Sequence, residues 1–175
     1  LQPGTVREIL QANAKTKRVA GYPVGIREED GVFYLEDEER NIIIGDWNGQ
    51  NSESDSSKSE RVQSKDGNFD PDAEALLYYL SLAYDYFNLN YGDRGYGTLV
   101  AHYRDGYASG RTAAGGCYEE QPVGYISIGE KTGTRTTDII AHEYTHVITK
   151  HLVNFGDHSE SSSINEGISD IFGCI

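Results

Sequence analysis

Methionine is absent from the 175 residues, tryptophan occurs once and cysteine twice. With no Met and a start at Leu1, the chain is expected to be a processed product or a cut fragment. Cys117 and Cys174 lie far apart and form no C-x-x-C, which excludes a disulfide scaffold and a four-cysteine zinc site. They either pair or sit buried as small apolar residues, and burial is the expectation. Positive charge is scarce too: 15 Lys and Arg stand against 28 Asp and Glu, a formal net charge of -13. A surface of that sign repels phosphate backbones, so nucleic acid is not expected as a partner. No run approaches the roughly 18 apolar residues that a bilayer-crossing helix needs. Leu1 to Leu10 also lack the basic-then-apolar layout of a signal peptide, so no membrane partner is expected. No internal repeat appears.

What is present suits one ordinary domain or slightly more. From Val19 to Trp47 the chain reads as short strands. Val32-Phe33-Tyr34-Leu35 and Asn41-Ile42-Ile43-Ile44 are separated by the charged stretch Glu36 to Arg40, and together they predict a hairpin. Asn48 to Ser64 has almost no apolar side chains to offset the entropy of ordering it, so a mobile loop is expected. Asp70-Pro71-Asp72-Ala73-Glu74 is a helix start, with a capping carboxylate, Pro at the first position and acids in the first turn. Leu76, Leu77, Leu80, Ala83, Tyr84 and Phe87 then recur at three- and four-residue steps up to about Leu89, and Gly92 supplies the stop. Thr98 to Tyr103 and Val123 to Ile128 read as strands, with a small-residue loop or irregular edge at Ala108 to Gly116 between them. A helix follows from Thr137-Asp138 to about Leu152, and another from near Ser162 to the end. Strands with one helix first and helices later predict an α+β fold rather than alternating βαβ units.

His142-Glu143-Tyr144-Thr145-His146 fits H-E-x-x-H in the middle of a predicted helix. Four residues advance a helix by about 400° and 6 Å, so both imidazoles project from one face and can grip one cation. Nineteen residues separate His146 from Glu166, which lies on a helix that a turn can fold back antiparallel. It completes a His2Glu set with a fourth position open to water, the arrangement of a catalytic site. Two neutral imidazoles and a carboxylate suit zinc. Asp170, one turn past Glu166, is placed to accept the free ring N–H of a liganding His, and Asn165 to orient the other. Glu143, offset from His142 by about 100°, flanks the metal and is the natural general base toward an activated water. Taken singly, Glu166 also fits a capping box with Ser163, in which it would bond only to backbone at the helix start. Asp138 is expected to cap the first helix. His102, His151 and His158 show no partners and are expected to be surface or packed side chains.

At these residues the sequence resembles the thermolysin family of zinc endopeptidases, which share HExxH on one helix and Asn-Glu-x-x-x-Asp on the next, here Asn165 to Asp170. The likeness extends to Tyr34-Leu35-Glu36-Asp37 with Ile42 to Asp46, to the helix from Asp70 and to His102-Tyr103, and so spans most of the chain. Metzincins fit less well, because Thr149 and Leu152 stand where their pattern has Gly and a third His. Zinc aminopeptidases are a nearer rival, usually with one residue fewer before the Glu. The resemblance implies His142, His146 and Glu166 as zinc ligands, Glu143 as base, Asp170 as the outer partner of a ligand and Asp138 as a calcium ligand. It also implies a secreted peptidase with peptide or protein substrates.

The implied architecture is a β-rich part over 1–136 with a helix at about 70–90, a zinc-binding helix pair over 137–175, and a C-terminal helical lobe missing from this chain. The face under that lobe is expected to be exposed and to favour self-association. Three departures from the family pattern accompany this. The His and Arg of the missing lobe are absent, Thr112-Ala113-Ala114 stands in for an Asn-Ala-aromatic edge segment, and Asp157 replaces a carbonyl-polarising Tyr. The reading is therefore a zinc endopeptidase in N-terminal part, weak or inactive by itself. The alternative is a zinc-binding relative that serves as a peptide-binding or structural module.

Overall fold

The computed structural model describes residues 15–19, 21–50, 59–92, 97–106, 113–117, 123–129, 136–153, 155 and 159–175. Among the described residues, ten strands and three helices follow in order: β1 Lys15–Val19, β2 Tyr22–Glu29, β3 Val32–Tyr34, β4 Glu36–Asp37, β5 Ile42–Asp46, β6 Glu60–Arg61, β7 Gln63–Ser64, α1 Pro71–Tyr91, β8 Thr98–Tyr103, β9 Ala113–Cys117, β10 Val123–Ile128, α2 Thr137–Leu152 and α3 Ser159–Gly173. This is the expected α+β arrangement, β-rich first and helical later.

One sheet has the order β1-β2-β3-β7. Its β2–β3 turn is Asp30-Gly31, both at positive φ (51° and 76°), the backbone a tight two-residue hairpin requires. The second sheet runs β4-β5-β8-β10-β9, with β6 on β5. In it β5, β8 and β10 are mutually parallel while β9 is antiparallel at one end. α1 is the crossover between the parallel pair β5 and β8, a single β–α–β step inside the α+β frame.

The hairpin expected between Val32–Leu35 and Asn41–Ile44 does not form with those strands. β3 joins the first sheet, and β4 pairs with β5, setting Glu36 opposite Ile43 and Asp37 opposite Ile42. The first two residues of the charged separator are thus themselves a strand, and three of its five side chains lie inside, Glu36 8%, Asp37 1% and Arg40 3% exposed, while Glu38 and Glu39 face out. Partners permit this: Arg27 Nε donates to Glu36 at 2.8 Å, and Arg40 Nη1 to Asp37 at 2.7 Å. The end of the expected mobile loop is likewise ordered as β6 and β7. Val62 bonds across both sheets, its N–H to Ile44 and its carbonyl to Leu35, while Arg61 lies 3.8 Å over the Tyr34 ring. Residues 51–58 lie outside the described residues.

α1 starts as read, with Asp70 accepting from the amide of Asp72, and ends at Gly92 (φ 78°). Its buried Leu76, Leu77, Leu80, Ala83 and Phe87 join Ile42, Ile44, Leu99, Ala101, Ile126 and Ile128 of the sheet in one core. Ile140, Tyr144, Val147 and Ile148 of α2 complete it. α2 is the hinge of the architecture: it contacts α1, α3, β9 and β10. Phe87 of α1 packs against Tyr144 of α2 at 5.4 Å and against Phe172 of α3 at 5.1 Å, which locks the three helices together. Among the described residues no helix is long and apolar enough to cross a membrane.

Candidate metal centre

Position on α2 decides which side chains face where. Ile140, Tyr144, Val147 and Ile148 take the core side. His142 and His146, one turn apart, take the side against α3, where helix packing holds the two helices antiparallel. His146 thus meets Glu166, His142 meets Asp170, and Asp138 lies by Gly173. Gly173 is needed for that approach, since a Cβ there would sit 2.9 Å from the Asp138 carbonyl oxygen. α3 begins at Ser159, three residues before the expected start. Glu166 therefore stands well inside the helix, and the capping-box alternative falls away because Ser163 is not at the helix start.

The ring nitrogens converge. His142 Nε2 and His146 Nε2 are 3.0 Å apart, and the Glu166 carboxylate lies 3.3 Å from the first and 3.5 Å from the second. A tetrahedral ion with bonds of about 2.1 Å sets neighbouring donors about 3.4 Å apart, so the triangle has the size that zinc requires. Among the described residues this is the group of three His, Cys, Asp or Glu donors close enough to hold one ion, all within 4.8 Å. The protonation pattern also fits. Asp170 Oδ1 is 3.0 Å from His142 Nδ1, and a carboxylate can only accept, so that nitrogen carries the proton and Nε2 offers its lone pair inward. His146 Nδ1 is 3.2 Å from Ser169 Oγ, and its ring also hydrogen-bonds the Asn165 side chain. Burial pulls the His146 imidazole below its ordinary pKa, with Glu166 opposing the shift and His142 adding to it. The ring is thus biased to the neutral form that metal binding uses.

Glu143 is buried, at 8% exposure, and lines a pocket of about 250 Å³ together with Asp138, Ile139, His142, Asp170, Gly173 and Cys174. Asp138 is not the helix cap, a position that belongs to Thr136. It lies in the first turn, exposed, and hydrogen bonds from Thr136 and nearby backbone amides hold its carboxyl below the usual range. Among the described residues no second cluster of three donors includes it. Asp157 and Thr112 lie outside the described residues, as does His158.

Other expectations change. His102, read as lacking a partner, is 2% exposed and held at Nδ1 by Asp105 Oδ2 (3.2 Å) and Ser127 Oγ (3.0 Å), between the rings of Trp47 and Tyr125. The ring is enclosed in the core, so the residue is a packed side chain. Cys174 is free and exposed rather than buried, because the packed face of α3 is supplied by Ile168, Ser169 and Phe172. Ser169 and Thr149 were missed as contributors. Both are small hydroxyl residues within one turn of a metal-ligand candidate, the only signal that the sequence offered.

Comparison with known proteins bears on the same residues. The family described as thermolysin metallopeptidase, catalytic domain, matches residues 12–150, a stretch that includes His142 to His146 and stops before Glu166. An extracellular elastase of Staphylococcus epidermidis is 25% identical over 163 residues, covering 86% of this chain and 31% of its own. The thermostable neutral protease NprT of Geobacillus stearothermophilus is 27% identical over 153 residues, covering 83% of this chain and 27% of its own. The chain therefore spans less than a third of the length of these relatives. Among solved structures, the precursor of protealysin, a metalloproteinase from Serratia proteamaculans, matches the fold with a TM-score of 0.54 at 20% identity, over 75% of this chain and 41% of that one.

Proposed function

Because the chain belongs to the thermolysin metallopeptidase family, we propose that it forms the N-terminal, zinc-binding part of a secreted endopeptidase, with peptide or protein substrates. His142, His146 and Glu166 would hold the ion. When bound there, zinc supplies Lewis acidity, polarising a carbonyl and bringing a water's pKa toward neutrality. The observation that carries the reading is the donor triangle of 3.0, 3.3 and 3.5 Å on two neighbouring helices.

The chain's own residues divide the remaining work. Glu143 flanks the triangle on α2, and its carboxylate takes the proton of the attacking water and returns it to the departing amine nitrogen. Asp170 keeps the His142 ring in the tautomer whose Nε2 lone pair points inward. β9 ends the sheet order and runs beside α2, so its outer edge is where an extended peptide would add as a further strand. Its sequence, Ala113-Ala114-Gly115-Gly116, supplies backbone hydrogen bonds and little side-chain specificity. Ile164 and Ile171 of α3 and Ile175 just beyond it are 48%, 61% and 75% exposed, so concentration-dependent association of the isolated chain is part of the proposal. Calcium at Asp138 is a further element of it, with other ligands to be supplied.

Glu143→Ala tests the base directly. In the complete, zinc-loaded protein the variant should retain its zinc and lose hydrolysis of a quenched fluorescent peptide by about 10²-fold or more. Cleavage at the unmodified rate would overturn the assignment.

A further inference from the structure

Behind the His142 ring stands a carboxylate, whereas behind the His146 ring stand neutral groups. Ser169 is fully buried, and its Oγ lies 3.2 Å from His146 Nδ1. The Asn165 side chain hydrogen-bonds the same ring. Thr149, one turn further along α2 and buried, donates from Oγ1 to Asn165 Oδ1 at 2.6 Å, a closer contact than its 3.3 Å approach to the His146 carbonyl. Thr149 lines a largely apolar pocket with Phe87, Ile148, Ile168 and Phe172, surroundings in which a hydrogen bond is stronger than in water.

This geometry bears on an ambiguity that asparagine carries. A carboxamide can present either oxygen or nitrogen to a ring, and the two choices demand opposite histidine tautomers. If Nδ2 faced His146 Nδ1, the ring proton would move to Nε2, where it would block a cation. The Thr149 hydroxyl donating to Oδ1 sets which way round the carboxamide sits, and Asn165 acts on the His146 ring as an acceptor does, raising its pKa, which assigns the oxygen rather than Nδ2 to the ring. Ser169 then offers the same Nδ1 proton a second acceptor. We propose that Thr149 and Ser169 are positioning residues for His146: with the half-buried Asn165 they form a neutral clamp that keeps the Nδ1 proton outward and the Nε2 lone pair aimed at the donor triangle. Thr149 acts through Asn165, and Ser169 acts on the ring itself. The inference rests on reading His142, His146 and Glu166 as a metal site.

The test measures zinc affinity by competition with a chromophoric chelator. It compares the unmodified chain with Thr149→Val, Thr149→Ser, Ser169→Ala, Asn165→Ala and the double variant Asn165→Ala with Thr149→Val. Ring ¹⁵N shifts of the zinc-free proteins above neutral pH report the tautomers. Thr149→Val and Ser169→Ala should each weaken zinc binding about tenfold, the low end for an outer hydrogen-bond partner. Thr149→Ser, which keeps the hydroxyl, should bind nearly as the unmodified chain does. Thr149→Val should cost nothing further once Asn165 is gone, since the two act in series. In zinc-free Thr149→Val the His146 shifts should move toward the Nε2–H form while those of His142 stay.

Unchanged affinity and tautomer in Thr149→Val would overturn the clamp, as would a loss in Thr149→Ser equal to that in Thr149→Val. Should Ser169→Ala not fold, the Thr149 variants carry the test, because Val matches Thr in size. An unmodified chain that binds no zinc overturns the metal reading and this inference with it. A chain that binds zinc with variants indifferent to it overturns the clamp alone.

Discussion

Arg40→Met removes a guanidinium that ties the turn after β4 to α1. Its Nη1 donates to Asp37 at 2.7 Å, and its Nε and Nη2 form a fork on Asp85 at 2.9 and 2.8 Å. The two carboxylates are not equivalent. Asp85 has a side chain 28% exposed, so water can replace the lost fork, and Tyr22 still donates to it. Asp37 is 1% exposed and would keep only the backbone amides of Gly25 and Arg40, each at 3.0 Å. Removing one partner of a buried pair costs about 3–5 kcal/mol, because the other charge is left uncompensated. Nearly all of that here belongs to Asp37. For a chain of this length it corresponds to a fall in Tm of about 10 °C. Urea and thermal unfolding at pH 7 measure it. Asp37→Asn combined with Arg40→Met should recover roughly half of the loss, since the stranded charge is gone. A single-variant cost below about 1 kcal/mol, or a double variant no more stable than the single one, would refute the reasoning.

Asp170→Ala should weaken zinc binding by about tenfold, toward the low end of the range because its carboxylate is 76% exposed and water can take its place. Chelator competition checks this, and an unchanged affinity would remove Asp170 from the site. Acid should destabilise the zinc-free protein through His146. Its folded pKa is depressed below the ordinary 6.5, so on acidification the unfolded chain takes up the proton first. The group's contribution is then complete above about pH 6.5 and lost as pH falls through the folded value. Urea midpoints between pH 7.5 and 5 should fall more steeply for the unmodified chain than for His146→Leu, and parallel slopes would contradict the shift.

Local signals carried the helices and two of the strands. The cap at Asp70, the stripe from Leu76 to Phe87 and the stop at Gly92 placed α1 within two residues of its end, and α2, β8 and β10 fall where periodicity set them. The His pair and Glu166 were legible because helical spacing alone brings donors onto one face. Burial of charge was not legible. Glu36, Asp37 and Arg40 look like a solvated turn, and only partners from β2, β6 and α1 allow them inside. Strand order was hidden for a related reason: the parallel pairing of β5 with β8 spans α1 and has no local mark. Asp30-Gly31, by contrast, was a readable hairpin signal that went unused. Ser169 and Thr149 escaped notice because a lone hydroxyl on a helix gains a role only from the helix opposite.

Anomalous diffraction at the zinc edge, on crystals of the zinc-loaded protein, tests the central claim most directly. The account predicts one strong peak lying about 2.0–2.2 Å from His142 Nε2, His146 Nε2 and a carboxylate oxygen of Glu166. A peak held by the two imidazoles with Glu166 turned away, or no peak between α2 and α3 at all, would contradict it.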